Sequence, residues 1–176
     1  MIYSKKFGFT LIELLITVSI IAVLSGLVMI NIYGNLAKAR DAKRKNDLRE
    51  IRTSLDIYYN IKNMYPPSVS SWPPPSDLSD GSNGLIKGCN QLTDPQPCLW
   101  GSPWTQDGTT FMGSLPRDPK STQNYFYMRD PSGRLSYILM ANLERSFDPD
   151  IATSQALCFV SGFSFSPGWY VVCDVK

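Results

Sequence analysis

The N-terminal part of the chain contains one long apolar run. Residues 9–30 lack proline and carry a single ionisable side chain, Glu13. At about 1.5 Å per residue, a helix over this run is long enough to cross the hydrocarbon core of a membrane. The pattern therefore predicts a transmembrane helix over 9–30.

Residues 31–63 continue the helical pattern into more polar sequence. Four apolar side chains recur there at spacings of three and four, so they share one helical face: Leu48, Ile51, Leu55 and Tyr58. Asn63 can take the left-handed conformation that ends helices, and Pro66 and Pro67 forbid continuation. We therefore expect a helical stem whose apolar face packs into a head.

The head is expected over residues 64–176. Its first part, 66–120, is rich in proline and serine and is predicted to be mostly loop. Runs rich in β-branched and aromatic residues follow and predict strands at 125–128, 135–141, 157–160 and 170–175. Three or four antiparallel strands packed on the stem give an α+β fold, with a long N-terminal helix against a small antiparallel sheet.

The charged residues exclude several function classes. The chain has no histidine, which removes the most common general base and zinc ligand, so ordinary enzymology is disfavoured. Seventeen basic and fifteen acidic residues give a net charge of +2, too small to indicate a nucleic-acid partner. Seven basic residues fall within 38–52. We interpret them as a solvated or subunit-facing stem rather than a patch for nucleic acid or lipid headgroups.

Four cysteines lie in the head, at Cys89, Cys98, Cys158 and Cys173. Because no CxxC pair is present, two disulfides are favoured over a zinc site. Three pairings are possible and the sequence does not choose among them; the local pairing would tie the last two predicted strands together. Disulfides indicate an oxidising compartment for the head.

Glu13 is the unusual residue of the apolar run. A carboxylate in a membrane helix costs several kcal/mol, so it needs a partner or a function. Gly8 directly precedes the run, and Lys5 and Lys6 precede Gly8. A cut between Gly8 and Phe9 creates a new α-amine about one helical turn from Glu13, where the first turn also favours an anion.

Residues 5–14, KKFGFTLIEL, resemble the class III signal of type IV pilins and type II secretion pseudopilins. In that family a prepilin peptidase cuts after the glycine and methylates the new N-terminal amine. The resemblance implies that residues 1–8 are a leader peptide and that Gly8 and Phe9 are the processing site. It also implies that Glu13 is the assembly residue, which pairs with the N-terminus of a neighbouring subunit. The exit from the stem, Asn63 to Pro66, resembles the Gly-x-Tyr-Pro exit of pseudopilins.

The resemblance implies a structural filament subunit, not an enzyme. Its expected partners are further copies of itself, the prepilin peptidase, an assembly ATPase and platform, and the inner membrane, with no nucleic acid. The head is expected outside that membrane, then in a periplasmic or surface filament. Counting basic residues on either side of the apolar run predicts the opposite orientation, but the cysteines and leader outweigh it. Major pilin, pseudopilin, competence pilin and minor subunit stay open. The alternative is a single-pass anchored enzyme or ligand-binding domain that does not assemble.

No cofactor is expected, although major pseudopilins are known for a calcium site in the corresponding part of the head. Asp148 and Asp150 are the weak calcium candidates here. Two carboxylates fall short of the six to eight oxygen ligands that calcium takes. A proline turn with an aspartate cap is therefore the favoured interpretation of Asp148-Pro149-Asp150.

We expect mass spectrometry of membrane-associated protein to find an N-terminal peptide that begins at N-methylated Phe9. The leader peptide should be absent from that fraction, since the peptidase removes it. An intact Met1 start in cells with an active prepilin peptidase would instead support the anchored domain that does not assemble.

Overall fold

A computed structural model describes residues 8–70, 84–89, 96–129, 136–158 and 164–174, except for the side chains of 27–33. By its internal contacts the chain divides into two units, Met1–Lys38 and Ala39–Lys176. The leader residues 1–7 lie outside the described residues.

The first element is the helix α1, Leu11–Lys62, which runs through both units. It ends where the sequence predicts: Asn63 has φ 54°, and its backbone N–H donates to the carbonyl oxygen of Tyr59 at 2.8 Å. An asparagine tolerates this left-handed conformation better than most residues do. Among the described residues, no helix combines the length and the hydropathy needed to cross a membrane. A span over 9–30 stays a prediction.

The head, within the second unit, has an α+β fold. Two short hairpins pair β1 with β2 and β3 with β4. A three-stranded antiparallel sheet has the order β5-β6-β7, and a second helix, α2, lies between β6 and β7 in the sequence. The bounds are β1 Lys87–Cys89, β2 Gln96–Pro97, β3 Trp104–Gln106, β4 Thr109–Met112, β5 Phe126–Arg129, β6 Tyr137–Asn142, α2 Pro149–Leu157 and β7 Trp169–Cys173.

The central strand β6 is buried on both faces, because its side chains alternate between two hydrophobic clusters. Tyr137, Leu139 and Ala141 join the cluster that contains the α1 residues Leu48, Ile51, Leu55 and Tyr58. Ile138 and Met140 point to the other side and join Cys158 and Val171. The period of two in a strand thus places α1 on one face of the sheet and the end of α2 on the other.

Aromatic side chains close the core beside α1. Tyr58 stacks on Trp104 with ring centroids 5.4 Å apart, and Phe111 lies 4.8 Å from the Tyr58 ring. Trp100 and Trp104 are buried, and Trp169 is half-buried. These tryptophans therefore serve the core rather than an exposed binding face.

Two predictions about secondary structure are wrong. The segment 157–160 was expected to be a strand, but Leu157 is the last residue of α2 and Cys158 is its C-cap. Asp148 caps α2 by accepting from the backbone N–H of Asp150, and Pro149 occupies the first turn. This start signal outweighs the β propensity of Leu157 and Cys158, and residues 159 and 160 lie outside the described residues. The region 66–120 also contains four short strands, so it is less irregular than expected.

The disulfides follow the local pairing, Cys89–Cys98 and Cys158–Cys173. The first links β1 to the residue after β2. The second was expected to tie two strands together, but it joins the C-cap of α2 to β7. It therefore fixes the helix to the sheet edge that the same helix covers.

Replacing both Cys158 and Cys173 by serine should lower the free energy of unfolding by about 3 kcal/mol. The two cysteines are 15 positions apart, and the bridge between them closes a loop of that length in the unfolded chain. Urea titration of the full chain in detergent micelles, followed by tryptophan fluorescence, measures this change. Equal midpoints for the wild type and the double variant would show that the bridge does not constrain the unfolded chain.

Candidate functional site

The first turn of α1 is held by Thr10 and Glu13. The Thr10 hydroxyl accepts a hydrogen bond from the backbone N–H of Glu13 at 3.4 Å, and the same hydroxyl donates to a Glu13 carboxylate oxygen at 3.4 Å. A threonine followed three residues later by glutamate is the capping-box pattern, and it fixes where a helix begins. This local role of Glu13 was not predicted from the sequence.

The side chains of residues 14–26 are mostly apolar, and all of them are exposed. Exposure is 78% for Phe9, 84% for Leu11 and 62% for Ile21. Monomeric soluble proteins rarely leave a contiguous apolar surface of this kind uncovered. Glu13 is the one ionisable side chain of residues 9–26. Any molecule or environment that buries this apolar surface must therefore also accommodate a carboxylate.

Gly8 is exposed, and a Cβ added to it meets no atom within 4 Å. The fold of the chain itself therefore does not require glycine at this position. A requirement for a small residue at Gly8 would have to come from another molecule that contacts the N-terminal segment.

The basic part of the stem is not simply solvated, which corrects the sequence interpretation. The Arg44 side chain is fully buried, and all five of its N–H groups are used. Nε and Nη2 donate to the two carboxylate oxygens of Asp118 at 2.7 and 2.8 Å. Nη1 donates to Asp41 at 2.8 Å and to Glu144 at 3.0 Å. The fifth bond runs from Nη2 to Gln123 at 2.9 Å.

The surrounding charges balance. Glu144 also binds Arg40 through two bonds, of 2.6 and 2.7 Å, and Lys120 at 2.8 Å. Three cations therefore meet three carboxylates, and we call this group the Arg44 cluster: Arg40, Arg44, Lys120, Asp41, Asp118 and Glu144. Its members come from α1 and from the segments before β5 and after β6.

The charges in the cluster stabilise one another. Hydrogen bonding to Arg40, then to Lys120 and Arg44, holds the pKa of Glu144 well below its usual range despite partial burial. Burial alone lowers the pKa of Arg44, but its bonds to Asp118, Asp41 and Glu144 outweigh that effect and raise it. Asp41 also accepts from the backbone N–H groups of Glu144 and Arg145, at 2.8 and 3.1 Å. The loop after β6 is thereby fixed to α1.

The sequence contains a signal for the burial of Arg44 that the analysis missed. The apolar stripe of the stem continues backward at the same spacing of four and three, from Leu48 to Arg44 and then to Asp41. A charged residue on the buried face, with an opposite charge one turn away, indicates an ion pair inside the head. The distant partners Asp118 and Glu144 have no such signal.

Asp148 and Asp150, the weak calcium candidates, both contact an internal cation. Lys45 Nζ lies 2.6 Å from Asp148 Oδ1 and 2.7 Å from Asp150 Oδ2. The other Asp148 oxygen accepts from Arg145 at 3.2 Å. A calcium ion would have to displace these groups, so the residues present do not fit the metal. The expected proline turn with an aspartate cap is present at the start of α2.

Known proteins resemble this chain both at its N-terminus and over much of its length. Residues 3–29 match the model of the prokaryotic N-terminal methylation motif. The chain is 31% identical to the type II secretion system core protein G of Dickeya chrysanthemi over 65% of this chain and 63% of that one. For the protein of the same name from Aeromonas hydrophila, the identity is 32% over 57% of this chain and 71% of that one. For that of Pectobacterium carotovorum it is 27% over 74% and 72%. The chain thus covers a little under two thirds of the first of these relatives, and no solved structure matches it.

A methylation motif at the start of a long helix, with an α+β head packed on the end of that helix, defines a prepilin-type subunit. Within that class, the chain belongs to the family of the type II secretion system core protein G, the major pseudopilin.

Replacing Arg44 by methionine should lower the free energy of unfolding by about 3–5 kcal/mol, because it leaves buried carboxylates without their cation. The matched control is Arg49→Met on the same helix. The guanidinium of Arg49 bonds only to Asn46 one turn away among the contacts described, so a change within about 0.5 kcal/mol is expected. Urea titration of the full chain in micelles compares the two. Similar midpoints for both variants would contradict a structural role for the Arg44 cluster.

Proposed function

We propose that the chain is a structural subunit that prepilin peptidase processes and that then polymerises into a type II secretion pseudopilus or a closely related pilus. The observation that carries this proposal is the combination at the N-terminus. The helix α1 begins inside the methylation motif with a capped first turn. Its residues 11–26 include a single carboxylate, Glu13, and leave their apolar side chains exposed. In this function the chain is a substrate of a peptidase and does no chemistry of its own.

The exposed apolar side chains of residues 9–26 need two successive environments. Lipid covers them while the subunit is stored in the inner membrane, and the same helices of neighbouring copies cover them in the filament. Lipid tails are about as apolar as leucine, so transfer from membrane to filament gains little from the hydrophobic effect. Apolar packing alone therefore cannot set the position of one subunit relative to the next.

Glu13 supplies the missing specificity. Before cleavage the nitrogen of Phe9 is an uncharged amide, and after cleavage it is an amine that is largely protonated at neutral pH. Methylation keeps that charge. A carboxylate in an apolar setting is costly unless it is paired, so the filament register that brings Glu13 to a neighbour's Phe9 amine is strongly favoured. Cleavage thus creates the group that the Glu13 of another copy requires.

The head contributes a stable body outside the membrane. Its two disulfides suit an oxidising compartment, which supports an extracytoplasmic location for the head. Assembly there is expected to use an ATPase and a membrane platform. The relatives favour a secretion pseudopilus over a surface pilus, and a major over a minor subunit. The rival function, a single-pass anchored domain that does not assemble, requires neither processing nor Glu13.

Glu13→Gln should leave processing at Gly8 intact but abolish incorporation into filaments, since it keeps the size of the side chain and removes its charge. The matched control is Thr10→Ala, which removes the capping hydroxyl and leaves the carboxylate. It should weaken the start of the helix by about 1 kcal/mol and still permit assembly. Immunoblots of sheared filaments and of membranes measure the two steps separately.

The two variants distinguish charge pairing from helix capping. If Thr10→Ala blocks assembly as fully as Glu13→Gln does, helix capping and not pairing with the amine explains the need for Glu13. Normal filaments from the Glu13→Gln variant would overturn the pairing, and a chain that stays monomeric with its leader intact would favour the anchored domain.

A further inference from the structure

The ammonium group of Lys45 is enclosed by the start of α2 and by β7. It contacts Asp148 at 2.6 Å and Asp150 at 2.7 Å, and it lies 5.6 Å from the centroid of the Tyr170 ring. The Lys45 side chain is only 12% exposed. Lys43, two residues earlier on α1, has a side chain that is 52% exposed and pairs with Asp47 on its own helix. Lys45 is therefore not an ordinary surface lysine.

Both carboxylate oxygens of Asp148 and three carbonyl oxygens near it already accept hydrogen bonds. Asp148 Oδ1 accepts from Lys45 and from the backbone N–H of Asp150, and Oδ2 accepts from Arg145. The carbonyl oxygens of Arg145, Asp148 and Pro149 accept from Asp148, Ile151 and Thr153. Calcium takes six to eight oxygens, and among the described residues no three metal-ligating side chains come together to supply them.

The charges around the loop also balance without a metal. Lys45 and Arg145 together supply two positive charges, which equal the charge of one calcium ion, and they face the two carboxylates of Asp148 and Asp150. Burial tends to lower the pKa of Lys45, but its hydrogen bonds to the two carboxylates outweigh burial and raise it. The lysine therefore stays charged at any pH near neutrality.

Lys45 lies on α1, so its ion pairs join the loop before α2 to the stem helix. The loop between β6 and α2 is joined to α1 at Arg40 and Arg44 through Glu144, and at Lys45 through Asp148 and Asp150. A cation bound in such a loop would hold its carboxylates together. Here the Lys45 side chain holds Asp148 and Asp150 together, and it also links the loop to the stem helix.

We propose that the Lys45 ammonium, with Arg145, performs in this head the role of a bound divalent cation, so that the loop before α2 keeps its structure without calcium. The head should therefore be indifferent both to calcium and to chelators. This inference concerns the stability of the head and does not rest on filament assembly.

The first test is a thermal unfolding titration of the wild-type full chain in detergent micelles, with about 1 mM EDTA or about 10 mM calcium chloride. A site with a dissociation constant of about 1 mM is typical of weak extracellular calcium modules. At that calcium concentration it would lower the unfolding equilibrium constant about tenfold. This would raise Tm by about 3–6 °C. We expect no shift beyond about 1 °C in either direction. A larger rise with calcium, or a fall with EDTA, would overturn the proposal.

The second test compares Lys45→Met with the control Arg49→Met on the same helix. Loss of the enclosed ammonium leaves the buried Asp148 with Arg145 alone, at 3.2 Å, so the unfolding equilibrium constant should rise at least about 30-fold. The exposed Arg49, whose guanidinium bonds to Asn46, should change it by at most about fivefold. Equal effects of the two variants would show that Lys45 is an ordinary surface pair and would overturn the proposal. If Lys45→Met fails to fold, Lys45→Arg, which keeps the charge, must fold and must remain indifferent to calcium.

Discussion

The buried guanidinium of Arg44 is the constraint on which the arrangement of the head depends. A fully buried charge is tolerated only when its donors and its charge are all satisfied. Arg44 meets this condition because it donates five hydrogen bonds to Asp41, Asp118, Glu144 and Gln123. An apolar stripe alone would let α1 slide by small amounts against the segments packed on it. A planar guanidinium bound to fixed carboxylates allows little such movement. The Arg44 cluster therefore specifies the register of α1 against the segments before β5 and after β6.

The same helix uses charge in opposite ways at its two ends. In the stem, Arg44 and Lys45 are matched by carboxylates within the same chain, so the head is complete in itself. Near the N-terminus, the contacts of Glu13 among the described residues are with the Thr10 hydroxyl in the first turn of its own helix, and the apolar side chains around it are exposed. A folded head and an N-terminal segment with an uncovered apolar surface are what the proposed filament subunit requires. In that proposal, the head stays folded while the N-terminal segment exchanges lipid for neighbouring copies.

Much of the head could be predicted because its signals are local. The alternation in Tyr137–Asn142 and the stripe from Leu48 to Tyr58 each report a buried face through their own period. The error at Leu157 and Cys158 came from applying β propensity to a short run, while α2 has a stronger signal, an aspartate cap and a proline that begin nine residues earlier. Short apolar runs do not distinguish a helix end from a strand, and the start signal of the helix decides.

By itself, the sequence determined what depends on neighbouring residues: the methylation motif, the position of Glu13, the left-handed end at Asn63 and the buried stripe of the stem. Only the tertiary structure decided which distant groups meet. Asp118 and Glu144 lie 74 and 100 positions from Arg44, and Asp148 lies 103 from Lys45. The pairing of the cysteines was likewise decided only by the tertiary structure. Pattern and propensity report the surroundings of each residue, whereas the partner of a buried charge is set by the folding of the whole head.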